Sequence, residues 1–419
     1  MFLYQLRDMQ LAALAPWHFM ALAVEKILNH PLCPLANTAL GQTIAERFAA
    51  LEQTTRLWTK VPFHLNHTKV KGKTVTVREE TLERTPFCEL IHFKRVSADP
   101  TLMAQIEIEP HVLIVMPYSG HCAAVMRDTV RAMLPAHDVI VTEWADAKFV
   151  PSAMGPFDLD DQIAYLIRTI RKLGSDLHLI AISQASLPAL CAIALLAEAE
   201  NPCEPRSLTL IGGPIDATRA TSPIAQVALT HPLAWFKDTQ IQFVPPYYPG
   251  AFRCVYPGFM RLLNRMSMIS NIQLTEQKKY FAHLIRGCEE SPQALGELYQ
   301  TFLAVTDVPA ELYLQFVERA YQQAALATGA FIWRGKRVNP AAIRNTALLT
   351  IEAELDDFSP PGQTSAALDL CTGLRPGQKQ AHLEIEAGHY SVFTGRKWRN
   401  TLQPMIQAFI RKHHLSLLG

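Results

Sequence analysis

The sequence predicts an α/β fold: a mostly parallel central sheet with helices on both faces, interrupted by a helical cap insertion. Two observations predict it. Short, β-rich apolar runs alternate with helical stretches between residues 111 and 211, and two more such runs follow at 346–351 and 382–386. Continuous apolar runs mark strands buried on both faces, as parallel strands crossed over by helices are. A chain of 419 residues, 49% hydrophobic and 18% charged, supplies a large core and excludes a disordered chain, a collagen or a coiled coil.

In chain order, residues 1–60 read as an N-terminal helical segment, with apolar residues at mixed three- and four-residue spacings and prolines at 31 and 34. Residues 11–24 are largely apolar, but Pro16 and His18 interrupt them and the run is short for a bilayer, so no membrane span is expected. Arg7 beside Asp8 makes a poor start for a signal peptide, although Ala21-Leu22-Ala23 imitates a cleavage site; a packing or surface-docking helix is expected instead. Residues 61–216 form the first part of the core. Val70, Val75 and Val77 flank Lys71-Gly72-Lys73, and residues 88–94 partly alternate, which suggests antiparallel strands. Apolar runs at 111–116, 139–142, 177–182 and 207–211 then predict parallel strands, with helices near 122–134 and 158–173 and another running through Leu196.

Residues 217–340 have a different texture, mostly helix with aromatic loops, and read as the cap. Eight of the 25 residues in 235–259 are aromatic. Trp235, Phe236, Tyr247 and Tyr248 are the candidates for lining an apolar substrate cleft; the competing reading is that these rings form the insertion's own core. Residues 341–419 complete the core with the last two runs and a helix near 397–412.

Charge and cysteine usage narrow the function. Lys+Arg number 39 against Asp+Glu 38, so no global field favours nucleic acid or anionic lipid. The eight cysteines (33, 88, 122, 191, 203, 254, 288, 371) show neither CxxC nor Cys/His spacing, which fits free thiols in a reducing compartment and gives no zinc site. No metal or other cofactor is expected.

The run 177–182 ends in Ser183-Gln184-Ala185 and passes into a helix, the layout of a nucleophile elbow, in which a sharp strand-to-helix turn lifts a side chain above the sheet. The usual glycines two positions before and after the nucleophile are replaced by Ala181 and Ala185, so small size is kept in a degenerate motif. By itself this also fits a serine capping a helix. A serine hydroxyl needs a base and the base an orienting acid, and in α/β-hydrolases the chain order is nucleophile, acid, histidine. The loop after the fifth run offers Asp356 or Asp357 as the acid, and Gly388-His389 follows the last run; His121 and His178 are alternative bases, His178 being better suited to a core role. For the oxyanion, the Gln184 N–H and the loop after the first run, at Tyr118 or Ser119, are the candidate donors.

Seven ordered blocks are similar to one family: Pro117-Tyr-Ser-Gly-His121, Met126-Arg-Asp-Thr-Val130, Val141-Thr-Glu-Trp144, Gly212-Gly-Pro-Ile-Asp216, Val255-Tyr-Pro-Gly-Phe259, Glu354-Leu-Asp-Asp357 and Gly388-His-Tyr390. Together they resemble the intracellular poly(3-hydroxybutyrate) depolymerases over nearly the whole chain. The resemblance implies an α/β-hydrolase fold, cytoplasmic attack on the surface of polyester (PHB) storage granules and release of 3-hydroxybutyrate oligomers or monomer. It places the nucleophile at Ser183, the acid at Asp356 and the base at His389. The chain departs from the family in one respect, carrying Ser183-Gln184-Ala185 where members usually have Cys-Gln-Pro. The alternatives are a polyester synthase-like enzyme, a small-ester hydrolase, and a granule-binding protein with an impaired site.

Overall fold

A nine-stranded sheet organises the molecule in the order β1-β2-β3-β5-β4-β6-β7-β13-β14. The structure, a computed structural model, describes residues 2–28, 61–260 and 304–415, with isolated positions in 30–48 and 285–301. The sheet starts with a hairpin, β1 (His67–Val70) and β2 (Lys73–Arg84), joined by Lys71 and Gly72. Both turn residues have positive φ (48° and 82°), the two-residue geometry whose twist matches that of the strands. β2 pairs antiparallel with β3 (Cys88–Val96), and β3 antiparallel with β5 (Asp138–Trp144). From β5 onward every neighbour is parallel: β4 (His111–Val115), β6 (Leu177–Ile182), β7 (Ser207–Ile211), β13 (Ala347–Ala353) and β14 (Lys379–Glu384).

Every residue of β6, β7 and β13 is buried, which is why these strands read as unbroken apolar runs. β14 is different. It is the edge strand, none of its residues is fully buried, and it spans Lys379–Glu384 rather than the expected 382–386, because an edge strand carries a weak apolar signal. Helix α1 (Phe2–Leu28) belongs to the expected N-terminal helical segment; most of 29–60 lies outside the described residues. The predicted helix at 122–134 is a 3₁₀ turn (Ala123–Met126) followed by the helix Arg127–Met133. The helix Leu159–Leu173 opens with a reciprocal capping box between Asp158 and Asp161. The helix Ser186–Glu198 is buried from Ser186 to Ala197, in keeping with a sequence apolar on all sides.

The cap enters after β7 and the chain returns to the sheet at β13, which pairs directly with β7, so the insertion leaves the ladder intact. Its described parts include the helices Pro223–Thr230, Leu233–Gln240 and Ala310–Phe316, a π-helical turn Val317–Gln322, and the small hairpin β11–β12 (Ile332–Trp333, Lys336–Arg337). They also include a three-stranded antiparallel sheet, β10-β9-β8, of Gln242–Phe243 (β8), Cys254–Tyr256 (β9) and Val308–Pro309 (β10). This sheet corrects the expectation of helices and loops; strands of two or three residues leave no alternating pattern to detect. A second correction concerns α1. Its residues 4–28 are long and apolar enough, by length and composition, to cross a membrane, because the helix continues well beyond the uninterrupted apolar run.

The strand order, with an antiparallel stretch before a parallel block and a cap inserted ahead of the last two strands, is that of an α/β-hydrolase.

Candidate active site

Five chain segments, those after β4, β6, β7, β13 and β14, leave the carboxyl edge of the parallel block, in which β5 and β6 lie on either side of β4. Open α/β sheets bind ligands at such a switch point. β6 ends at Ile182, and Ser183 opens a 3₁₀ turn (Ser183–Ala185) that leads into the buried helix. Ser183 has φ +53°, a left-handed backbone that L-residues rarely adopt and that costs on the order of 1–3 kcal/mol. Fully buried Ala181 and Ala185 show why small residues stand there. Gly213 is a further requirement: a Cβ on it would lie 2.2 Å from Ser186 Oγ and 2.6 Å from the Ser183 carbonyl oxygen. The loop after β7 thus passes against the elbow because it carries no side chain at that point.

His389 connects the elbow to the acid loop. Its Nε2 lies 3.2 Å from Ser183 Oγ and its Nδ1 2.7 Å from Asp356 Oδ2. Asp356 follows β13 and is buried, and its other oxygen accepts the main-chain N–H groups of Phe358 (2.8 Å) and Ser359 (3.0 Å). Both carboxylate oxygens are therefore committed, which fixes the orientation of the group. Asp357, the competing acid, is exposed. The acid loop is itself anchored by Glu352, whose Oε1 accepts the N–H groups of Gly362, Thr364 and Ser365 at 2.8–3.0 Å. Thr364 Oγ1 in turn accepts the Gly213 N–H and donates to the Gly213 carbonyl, joining the acid loop to the strand that flanks the elbow. The imidazole is held among Phe358, Tyr390 and Phe393 at centroid distances of 4.7–5.7 Å. Gly212, at φ +57°, lies so close that a Cβ there would approach Asp356 Oδ2 and His389 Cε1 to 3.3 Å.

The alternative histidines differ in position. His178 is fully buried in β6 and contacts Ser207 Oγ at 2.7 Å; burial pushes it down to about 3, so it is a neutral core residue. His121 is buried in the wall of the recess above Ser183.

The loop after β4 is clamped to β5. Met116 N–H donates to Thr142 Oγ1, Trp144 Nε1 donates to the Met116 carbonyl, and Tyr118 stacks on Trp144 with its hydroxyl on the Ala145 carbonyl at 2.6 Å. The Tyr118 phenol is thus engaged away from Ser183, and only its backbone could serve an oxyanion. Ser119 and Gln184 both line the small recess that holds Ser183 and His389. The same two residues, with Ile224 and Tyr321, also border a cavity of about 340 Å³ beneath the cap.

Trp235 and Phe236 line this cavity, as the aromatic segment suggested. Tyr247 and Tyr248 do not. They lie on the far side of the cap and donate to Asp8 Oδ2 of α1 at 2.6 and 3.4 Å, so their assignment to the substrate cleft is corrected. The aromatic segment divides between two faces because it folds through β8 and β9. Tyr256 of the same aromatic segment lines the cavity too, whereas sequence reasoning missed Gln162, Tyr313, Phe316 and Tyr321. Among the described residues, no group of three His, Cys, Asp or Glu side chains is placed to hold a metal ion.

Residues 212–414, from the glycine pair to the C-terminal helix, match the protein-family model described as PHB de-polymerase C-terminus. Over that stretch, just under half of its length, the chain is similar to the PHB depolymerases. The matched segment supplies Gly212, Gly213, Asp356, His389 and the whole cap, whereas Ser183 and the loop after β4 lie upstream of it. No curated protein matches the chain significantly. Among solved structures, a Bacillus anthracis bromoperoxidase is similar with 10% identity and a TM-score of 0.46, covering 80% of this chain and 100% of its own. BphD hydrolase from Rhodococcus sp. strain RHA1 shows 11% identity and a TM-score of 0.44, with 80% and 99% covered. A Paleococcus ferrophilus monoacylglycerol lipase shows 14% identity and a TM-score of 0.40, with 72% and 94% covered. The depolymerase family match and the hydrolase fold support ester hydrolysis as the reaction class.

Proposed function

We propose that the protein hydrolyses the ester bonds of poly(3-hydroxybutyrate) through Ser183, His389 and Asp356. The observation that carries this reading is the continuous relay Ser183 Oγ–His389–Asp356, at 3.2 and 2.7 Å, on a strained elbow beside an apolar cavity. His389 Nε2 takes the Ser183 proton as Oγ attacks the ester carbonyl, and Asp356 stabilises the imidazolium. The tetrahedral oxyanion is held by the Gln184 N–H and an N–H of the loop at Tyr118–Ser119. Collapse breaks the ester bond; the departing hydroxyl end of the polymer receives the proton from His389, leaving an acyl-serine. Water then attacks the acyl carbon, gives one proton to His389, and the 3-hydroxyacid end leaves as Ser183 is reprotonated. The match to the PHB de-polymerase C-terminus model supports a polyester substrate, and with that reading goes a cytoplasmic enzyme working at the surface of storage granules. Against an impaired granule-binding protein stand the relay's hydrogen bonds and the strain kept at Ser183.

The test is release of soluble 3-hydroxybutyrate from amorphous poly(3-hydroxybutyrate) particles by the parent, Ser183→Ala and His389→Ala. Each variant is expected to lose at least about 10⁴-fold in turnover. Parent-like activity in either would overturn the mechanism, and turnover of soluble esters with none of the polymer would overturn the substrate.

A further inference from the structure

Helix α1 has its N-terminal turns fixed to the cap and most of its length uncovered. Tyr4 is buried with Ala147, Val244 and Val255 and meets the Phe259 ring edge-on at 5.5 Å. The Arg7 guanidinium lies 4.7 Å over the same ring, and Asp8 accepts the Tyr247 hydroxyl. Beyond Asp8 come sixteen residues, 9–24, without a charged side chain. Met9, Trp17 and Phe19 are 70%, 55% and 69% exposed. Positions 17 and 19 are about 200° apart around a helix, so large apolar side chains face water on opposite sides. A helix apolar all round is one that something else encloses.

The exposed apolar surface continues onto the cap. Phe243, Tyr247 and Phe252 of the cap and Phe149 of the turn after β5 are each more than half exposed, and Phe149 packs edge-on against Tyr248 at 5.7 Å. Phe243 ends β8, which begins two residues after the helix Leu233–Gln240, whose Trp235, Phe236 and Gln240 line the cavity next to Ser183. Successive cap elements therefore face the cavity on the inner side and continue into an apolar outer surface shared with α1. Contiguous exposed apolar patches of this kind mark interaction surfaces.

We infer that α1 and the outer face of the cap form a docking surface for a neutral, water-insoluble polyester. This rests on the polyester reading of the active site and adds the surface by which the enzyme engages bulk polymer. Charge identifies the occupant: 9–24 carries no Lys or Arg, whereas interfacial membrane helices carry basic residues on their polar face, and the basic groups beside the patch are engaged, Lys148 with Asp146 and the Phe149 ring and Arg7 with the Phe259 ring. Attachment argues in the same direction. Residues 4–28 are long and apolar enough to span a bilayer, but the N-terminal end of the helix is tied to the cap, Tyr4 by its burial and Asp8 by the Tyr247 hydroxyl.

The experiment is co-sedimentation of the full chain with protein-free amorphous poly(3-hydroxybutyrate) particles, read beside turnover of a soluble p-nitrophenyl ester. The triple variant Met9→Ser/Trp17→Ser/Phe19→Ser is expected to bind particles about tenfold more weakly, or worse, with soluble-ester turnover at the parent's value. The conservative pair Trp17→Phe/Phe19→Leu should retain binding, and 1 M NaCl should not release the parent. Undiminished binding by the triple variant, or release by salt, overturns the proposal. So does parent binding to phosphatidylcholine/phosphatidylglycerol vesicles stronger than to particles, which would assign the helix to a membrane. A parent dimer that the triple substitution converts to monomer, with particle binding unchanged, would assign the surface to a second copy and also overturn it. Because docking is read by sedimentation, it is separable from catalysis: Ser183→Ala should still bind, and if that variant kept full turnover the mechanism would fall while the docking result stood.

Discussion

The hydrolase core and the cap solve opposite problems. At the carboxyl edge of the sheet, polar hydrogen bonds fix the candidate residues: Asp356 uses both oxygens, Glu352 gathers three main-chain N–H groups, and Thr364 ties the acid loop to Gly213. Under the cap, the cavity wall is mostly rings and aliphatic side chains, such as Tyr256 stacked on Tyr313 and Trp235 against Phe236. Directional bonds hold a geometry to tenths of an ångström, whereas apolar packing is non-directional and accommodates a range of shapes. The comparison teaches that the reacting groups are pre-organised on rigid elements, and that polymer recognition is left to surfaces that can adapt.

The largest expected effect falls on the rigid half. Asp356→Asn keeps the size of the side chain but removes the charge that orients and stabilises the imidazolium; turnover of a soluble ester should fall by about 10⁴, with little change in thermal midpoint. An effect below tenfold would mean that the acid loop is scaffolding. Gly213→Ala tests the same half from outside the relay. Its methyl would press on the Ser183 carbonyl, a backbone atom that cannot turn aside, so the variant should lose about 1–3 kcal/mol in denaturant unfolding and on the order of 10² in turnover. A neutral outcome would show that the elbow tolerates displacement.

Trp235→Ala addresses the adaptable half. It should raise KM for 3-hydroxybutyrate oligomers roughly tenfold while leaving kcat on a small acetate ester near the parent's value, since apolar contact area is what is lost. Equal losses on both substrates would erase the distinction between the two regions. The smallest effect concerns the junction of cap and core. Asp307 is buried, accepts the Gly258 N–H at 2.9 Å and donates its own N–H to Asp146. Burial pushes its carboxyl up to about 7, against the pull of the Gly258 N–H. Between about pH 4, where an unfolded aspartate loses its proton, and about pH 7 the folded protein binds more protons than the unfolded chain, so this group's contribution falls as pH rises. Asp307→Asn should remove that slope, and the midpoint difference, parent minus variant, should shrink from pH 5 to pH 8. A difference that grew with pH would reverse the assignment.

Much of the core was legible because buried parallel strands leave a local signature. The runs 177–182 and 207–211 coincide with β6 and β7, and the serine after β6 stands where an elbow would put it. The edge strand β14 was misplaced by two to three residues because half-exposed strands dilute that signature. In the cap, the abundance of aromatic residues was visible but their sides were not: Trp235 and Phe236 face the cavity, whereas Tyr247 and Tyr248 reach back to Asp8.

The sequence by itself determined the order of the core strands and helices, the serine–acid–histidine order along the chain and the richness of the cap in rings. Each of these follows from local composition or from position along the chain. Only the tertiary structure decided between Asp356 and Asp357, brought Gly213 against the elbow and set α1 on the cap. Those outcomes depend on contacts between segments up to some 240 residues apart, such as Asp8 with Tyr248, and no local preference encodes which of two adjacent side chains will point toward a partner that distant.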